Sequence, residues 1–204
     1  MLNISIIDYG INNTRSVFNA LKKLNVKTYV TSDIKLINQS DGIILPGVGA
    51  FGEAMKNLEE LNLIEPLREL TKVKKTPFLG ICLGMQLMAD TSEEKGKFKG
   101  LSLIEGDVIK IEKHKNLIVP HMGWNNIEVK QKSNLFASIQ NNSAFYFVHS
   151  YQYICKKKYI LAEVDYGSTI VAAVADENIY GVQFHPERSH SKGIQMIRNF
   201  LKLI

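Results

Sequence analysis

Cys82 is the side chain in this 204-residue sequence whose neighbours point most directly to nucleophilic chemistry. Gly80 and Gly84 stand two residues to either side, the spacing of a nucleophile elbow with sulfur in place of oxygen. A tight turn brings neighbouring backbone close, and a Cβ at either glycine would collide with it. The surrounding stretch, Thr76 to Ala89 (TPFLGICLGMQLMA), predicts the frame. Pro77 bounds an apolar run, Phe78 to Ile81, of the length of a buried strand, and Leu83 to Ala89 consists mostly of good helix formers. A thiol at such a strand-to-helix turn meets the helix N-terminus, where the dipole and free N–H groups favour a thiolate. The N–H of Leu83 then becomes a donor to an oxyanion. The competing reading is an inert core cysteine at a strand end, so the nucleophile needs a base.

Five histidines are available: His114, His121, His149, His185 and His190. His114 lies among lysines and reads as solvated. His185 ends the apolar run IYGVQF and precedes Pro186-Glu187. In extended backbone, residues i and i+2 share a face, so His185 and Glu187 are expected to point the same way. A carboxylate beside an imidazole holds its tautomer and stabilises the imidazolium. The alternative is a strand-end turn whose histidine caps backbone groups. Cys82, His185 and Glu187 together describe a thiol activated by a base and a base oriented by an acid, the requirement for acyl transfer through a thioester. A further loop, Pro46 to Gly52 (PGVGAFG), lies at the carboxyl end of a predicted strand, where open α/β sheets bind ligands. It lacks the Lys-Ser/Thr of a P-loop. An oxyanion donor and a plain turn both remain open for it.

The elements that must position these groups alternate in the first half of the chain. Leu2 to Asp8, Lys27 to Thr31 and Gly42 to Leu45 read as strands, and Asn12 to Asn25 as a helix with Asn12 or Asn13 at its N-cap. Glu53 to Val73 reads as helix, broken near Asn62 and Pro66, and Thr91 to Gly100 as a polar loop. Short strands then dominate: Asp107 to Glu112, Asn126 to Val129, Phe145 to Val148, Tyr159 to Val164, Thr169 to Ala175 and Ile179 to Phe184. Gly193 to Ile204 closes as an amphipathic helix. This order predicts an α/β fold with a largely parallel sheet.

Composition sets the outer bounds. With 45% hydrophobic and 22% charged residues, one globular domain with a sizeable core is expected. No apolar stretch is long enough to span a bilayer. The start, Met1-Leu2-Asn3-Ile4, shows no secretory signature, and two cysteines, Cys82 and Cys155, make no disulfide framework. A reducing cytoplasm is therefore expected. No Cys/His cluster has zinc-ligand spacing. The net charge of +5 comes from scattered lysines with no nucleic-acid motif, which reads as a solvated surface.

GICLGMQ at 80–86, PGVGAFG at 46–52 and HPE at 185–187, in that order, resemble the class I (triad) glutamine amidotransferases over essentially the whole chain. Pro120 to Asn125 (PHMGWN), Tyr146 to Tyr151 (YFVHSY) and the start, Asp8-Tyr9-Gly10 with Arg15-Ser16-Val17, resemble the glutaminase subunits of imidazole glycerol phosphate synthases within that family. The resemblance implies one amidotransferase domain over 1–204, a three-layer sandwich with a mixed, mostly parallel central sheet. It implies hydrolysis of glutamine to glutamate and ammonia by Cys82, His185 and Glu187, with no metal and no cofactor. Leu83, Val48 and Gly49 become the oxyanion donors, the latter two after a backbone rearrangement. Gly47, Gln86, His149, Ser150 and Tyr151 become the glutamine-holding positions. A cyclase (β/α)8-barrel partner is implied as a heterodimer, with no nucleic acid and no membrane. Trp124, the sole tryptophan, reads from the residues alone as either core or interface; with the resemblance, Trp124, Asn125 and Tyr146 become interface candidates. Two segments depart from the family pattern, Asn12-Asn13-Thr14 and the polar Arg188-Ser189-His190-Ser191. They leave room for a paralogue that feeds ammonia to a surface-sugar amidotransferase. A redox-sensing elbow cysteine is the reading from another class. A glutaminase of pyridoxal-phosphate synthesis fits less well, because its elbow lacks the CLGMQ sequence.

Overall fold

The computed structural model describes residues 1–11, 13–112 and 117–204. Asn12 as a helix cap and the solvated segment around His114 therefore lie outside the described residues. The first half alternates as the sequence predicts: β1 (Asn3–Ile7), α1 (Thr14–Lys22), β2 (Lys27–Thr31), α2 (Ile34–Asn38), β3 (Gly42–Gly47), α3 (Phe51–Glu60), α4 (Ile64–Arg68), β4 (Phe78–Cys82) and α5 (Leu83–Gln86). Asn13 occupies the N-cap position of α1, but its side chain accepts from Ser16 Oγ at 2.9 Å and caps no backbone N–H. The break between α3 and α4 falls at Asn62, held at φ +55°, whereas Pro66 is absorbed into the first turn of α4. That placement removes no helical bond, because the first N–H groups have no partner within the helix.

The second half is richer in strands: β5 (Thr91–Ser92), β6 (Phe98–Lys99), β7 (Gly106–Lys110), β8 (His121–Val129), β9 (Ala144–His149), β10 (Tyr151–Cys155), β11 (Ile160–Asp165), β12 (Thr169–Asp176), β13 (Ile179–Val182) and finally α6 (His190–Leu201). The expected polar loop at 91–100 is instead a small hairpin, β5 against β6, that joins a four-stranded sheet ordered β10-β7-β5-β6. β8 begins five residues earlier than the sequence predicts, because His121 to Asn126 pair with His149 to Ala144 of β9 despite their polar character.

The main sheet has nine strands ordered β2-β1-β3-β4-β13-β12-β11-β8-β9. β2, β1, β3, β4 and β13 run parallel, and the remainder is antiparallel. Its two faces feed separate cores. In β3, Ile44 enters one core while Ile43 and Leu45 enter the other, the period of two that a strand imposes. Val17 and Leu21 of α1 with Met196, Ile197 and Phe200 of α6 cover the first face. Phe51 and Leu58 of α3, Leu67 of α4, and Val108 and Tyr153 of the small sheet cover the second. Each fully buried aliphatic side chain here contributes about 1.5–3 kcal/mol, so the sheet centre, buried on both sides, is the rigid base from which the site projects. Among the described residues no helix is long and apolar enough to cross a membrane.

Candidate active site

Adjacent parallel strands end together, and that topology gathers the candidate residues. β4 lies between β3 and β13, with Gly47 opposite Cys82 and Val182 opposite Ile81. The carboxyl ends of the three strands therefore deliver the glycine loop, the cysteine and the histidine to one sheet edge.

At the end of β4 the chain turns so sharply that Cys82 adopts φ +54° and ψ −111°, outside the regions an L-residue normally occupies. Such a conformation costs of the order of 1–3 kcal/mol and persists only where the surroundings dictate it. Here the glycines do so. A Cβ on Gly84 would lie 1.7 Å from the Leu45 carbonyl oxygen, and one on Gly80 2.6 Å from the Gly84 oxygen. The following helix is a single turn, Leu83–Gln86, shorter than the sequence predicts, because Leu87 to Ala89 turn away to bond with 101–104. A long helix dipole behind the sulfur is thus absent. What remains is the N–H of Leu83 at the first helical position, which has no partner within the helix.

Cys82 and His185 line one cavity of about 390 Å³, large enough for an amino acid. His185 is buried, and its Nδ1 lies 2.8 Å from Glu187 Oε1. The contact is the expected one, but the route differs. Pro186–Arg188 is a 3-10 turn, not extended backbone, and curls the carboxylate back under the ring. The His185 N–H donates to the Tyr146 carbonyl at 2.8 Å, and Ser189 Oγ donates to the His185 carbonyl at 2.6 Å, which fixes the turn. Burial by itself pushes the imidazole pKa down. The sulfur of Cys82 and the carboxylate of Glu187 more than reverse this and raise it to about 10. Nε2 has no protein partner at strict hydrogen-bond geometry, yet the Cys82 sulfur is close enough to favour the imidazolium. Cys82 Sγ has two other polar neighbours, the Val148 carbonyl at 3.8 Å, to which a thiol can donate, and Gln183 Nε2 at 3.7 Å. The other cysteine, Cys155, has its pKa raised to about 11 by burial, which disfavours its thiolate.

The remaining candidates divide into three groups. Val48, Gly49, Leu83, Gln86, Ser150 and Tyr151 line the cavity with Cys82 and His185, as does His149. Val48 donates its N–H to the Ile11 carbonyl at 3.5 Å, so this donor is engaged away from the sulfur, while Gly49 holds φ +101°. Gly47 does not line the cavity. It packs behind the elbow, where a Cβ would lie 2.4 Å from the Tyr9 hydroxyl oxygen and 2.8 Å from Leu83 Cβ, and its role is to let β3 approach β4. Trp124, Asn125 and Tyr146 lie on β8 and β9 beside the site. Trp124 is 48% exposed and stacks on His190 with ring centroids 4.8 Å apart. Asn125 donates to the Asp165 carbonyl at 2.9 Å.

Three residues in or beside the cavity escape the sequence reading. Glu94, from the hairpin mistaken for a loop, is the only carboxylate lining the cavity among the described residues, and accepts from the Phe51 N–H at 2.8 Å. Nothing local in TSEEKGKFKG singles it out. Gln183 is fully buried beside the sulfur, and a lone polar residue inside the apolar run IYGVQF was the available signal. His121 is buried and bonds His149, Nδ1 to Nε2, at 3.0 Å.

Residues 5–204 match the family model described as glutamine amidotransferase class-I. The chain is 44% identical over 200 residues to the imidazole glycerol phosphate synthase subunit HisH 1 of Campylobacter jejuni (strain RM1221), covering 98% of this chain and 100% of that one. It is 47% identical over 197 residues to the imidazole glycerol phosphate synthase subunit HisH of Bacillus cereus (strain ATCC 10987 / NRS 248), covering 97% and 93%. A crystal structure of a glutamine amidotransferase from Thermotoga maritima, 17% identical, matches with a TM-score of 0.65 over 98% of this chain and 84% of that one, a likeness of fold.

Proposed function

The chain belongs to the class-I glutamine amidotransferase family, and we propose that it is the glutaminase subunit of an imidazole glycerol phosphate synthase, with 1–204 as one amidotransferase domain. The observation that carries the chemistry is a thiol and an imidazole lining one cavity, with a buried carboxylate on the far nitrogen of the imidazole. In this reading the Cys82 sulfur attacks the side-chain carboxamide carbon of glutamine. His185 gives its Nε2 proton to the amide nitrogen, the C–N bond breaks, and ammonia leaves a thioester. The neutral imidazole then takes a proton from water, which attacks the thioester and releases glutamate. Glu187 keeps Nδ1 protonated so that Nε2 does this work. Leu83 N–H is one oxyanion donor. Val48 or Gly49 supplies the second once the peptide now bonded to Ile11 rotates. Gln86, His149, Ser150 and Tyr151 hold glutamine, and Glu94 is placed to meet its ammonium group.

Ammonia released into water at neutral pH is mostly protonated and no longer nucleophilic, so the product needs a sealed exit. Met122 is 61% exposed and Trp124 48%, next to Tyr146, whose carbonyl fixes His185. An exposed apolar rim at the active-site edge suits a partner. That partner is proposed to be a cyclase (β/α)8-barrel forming a heterodimer in the cytoplasm. It would add ammonia to a phosphoribulosyl formimino intermediate and release imidazole glycerol phosphate and an aminoimidazole carboxamide ribotide, a lyase-type step of histidine biosynthesis.

The test is glutamine-dependent formation of imidazole glycerol phosphate by this chain with that barrel. Cys82→Ser and His185→Ala should each abolish glutamine-dependent turnover while free ammonia still supports the cyclase. If both variants keep full glutamine turnover, the glutaminase reading fails. If glutamine is hydrolysed only with a surface-sugar amidotransferase present, the partner is wrong and the paralogue reading replaces it.

A further inference from the structure

Gln183 takes no part in the steps above, yet its polar side chain is entirely buried against the reacting sulfur. Its Nε2 lies 3.7 Å from Cys82 Sγ and its Oε1 2.9 Å from Gln86 Nε2. An amide can be turned end for end without changing shape, so its polarity must be set by a neighbour able to act in one sense alone. The Tyr151 carbonyl is such a neighbour. It can only accept, and it lies 3.0 Å from the Gln86 amide, so the group facing it is the NH2. The same NH2 contacts Gln183, whose facing atom must therefore be the oxygen. The NH2 of Gln183 is left aimed at the sulfur.

That carbonyl is itself anchored. His149 Nδ1 lies 2.8 Å from it and must carry the hydrogen there, and His121 Nδ1 donates in turn to His149 Nε2 at 3.0 Å. Backbone holds the other end, since the Gln183 N–H donates to the Ala172 carbonyl at 2.9 Å. A fixed run of donors therefore ends at the nucleophile.

We infer that Gln183 is a positioning residue for the nucleophile. Its side-chain N–H donates to Cys82 Sγ and favours the thiolate, with the direction of that donor imposed by the Tyr151 carbonyl through Gln86. The inference rests on Cys82 being the nucleophile of the reaction proposed above. A hydrogen bond to a charged acceptor is stronger than one to a neutral acceptor, so the bond strengthens when the proton leaves sulfur. It opposes the Val148 carbonyl, which stabilises the thiol. The titratable groups that act on the sulfur are His185 from the turn after β13 and Tyr9 from the end of β1. A change at Gln183 leaves both in place.

The test is Gln183→Met, which keeps the length and removes the donor. The alkylation rate of Cys82 by iodoacetamide is followed across pH by mass spectrometry, with Cys155 counted separately. The midpoint is expected to rise by about one pH unit, which makes alkylation about tenfold slower below it. Glutamine kcat is expected to fall about tenfold with KM within about twofold, the split for a loss that acts on the chemical step. A variant with wild-type melting and a wild-type midpoint overturns the inference. Should Gln183→Met not fold, the unaltered chain carries the test. The side-chain NH2 signal of Gln183 should follow the Cys82 midpoint and stay fixed in Cys82→Ala, and a signal indifferent to the sulfur in both overturns the inference. Alkylation needs no glutamine, so a defined midpoint in a chain that hydrolyses none even with the barrel partner present refutes the glutaminase reading alone.

Discussion

The buried pair His121–His149 should make this protein acid-labile in a way one substitution can isolate. Both rings are almost inaccessible, His121 stacked between Phe147 at 4.6 Å and Tyr166 at 3.9 Å. Burial lowers the His121 pKa from 6.5 to about 4, and burial together with the charges of His121 and His185 lowers that of His149 to about 3. Below pH 6.5 the unfolded chain takes up protons that the native rings refuse. The contribution of each ring is therefore intact above about pH 6.5 and is lost as the pH falls toward its native pKa. For His121 the difference of 2.5 units corresponds to about 3 kcal/mol by pH 4. That is a large share of the roughly 5–15 kcal/mol that holds a domain together. His121→Phe keeps the stacking but leaves His149 Nε2 without its donor, costing about 1–3 kcal/mol at pH 7. Urea unfolding of both chains from pH 4.5 to 7 measures the outcome. Carboxylates titrate in both and cancel in the difference, so the two stability curves should converge as pH falls, by about 2–3 kcal/mol in all. Parallel curves would show that the pair is not buried in its neutral form.

Two further substitutions probe the frame and the face. Gly84→Ala drives a Cβ to 1.7 Å from the Leu45 carbonyl of a central strand and should cost at least about 3 kcal/mol in urea unfolding. Gly49→Ala meets no atom within 4 Å and bears only its φ of +101°, about 1–2 kcal/mol, and equal costs for the two would sink the steric account of the elbow. Trp124→Ala removes a half-exposed ring and its stack on His190, so native stability should change by no more than about 1 kcal/mol. Affinity for the proposed barrel partner should nevertheless drop about tenfold or more by calorimetry, and an unchanged affinity would exclude this face as the docking surface.

What the sequence discloses of this site follows from how far each constraint reaches along the chain. The elbow is legible because its cause is local: Gly80 and Gly84 are needed by the same few residues they flank. The His185–Glu187 contact is legible too, although the i, i+2 argument reached it through extended backbone and the chain makes it through a 3-10 turn. β1, β3 and β4 show as apolar runs because the strands are buried on both faces. Where burial is one-sided the signal fades. β8 from His121 to Asn126 carries polar and glycine residues whose only reason to be extended is the partner strand β9, twenty-odd residues later. The hairpin that brings Glu94 to the cavity is missed for the same reason: it pairs with β7, and its own composition is that of a loop.

Gln183 is the sharpest case. In sequence it is a lone amide in an apolar run, a hundred residues from the cysteine it faces. Only the parallel register of β13 beside β4, with Val182 opposite Ile81, carries it to the sulfur. Only the one-way chemistry of a backbone carbonyl decides which end of its amide arrives there. The strain at Cys82 and the polarity at Gln183 then have separate origins, one in glycines that admit the turn and one in a carbonyl that orients an amide. Relaxing the first should unseat the sulfur, whereas removing the second should leave it seated but more often protonated.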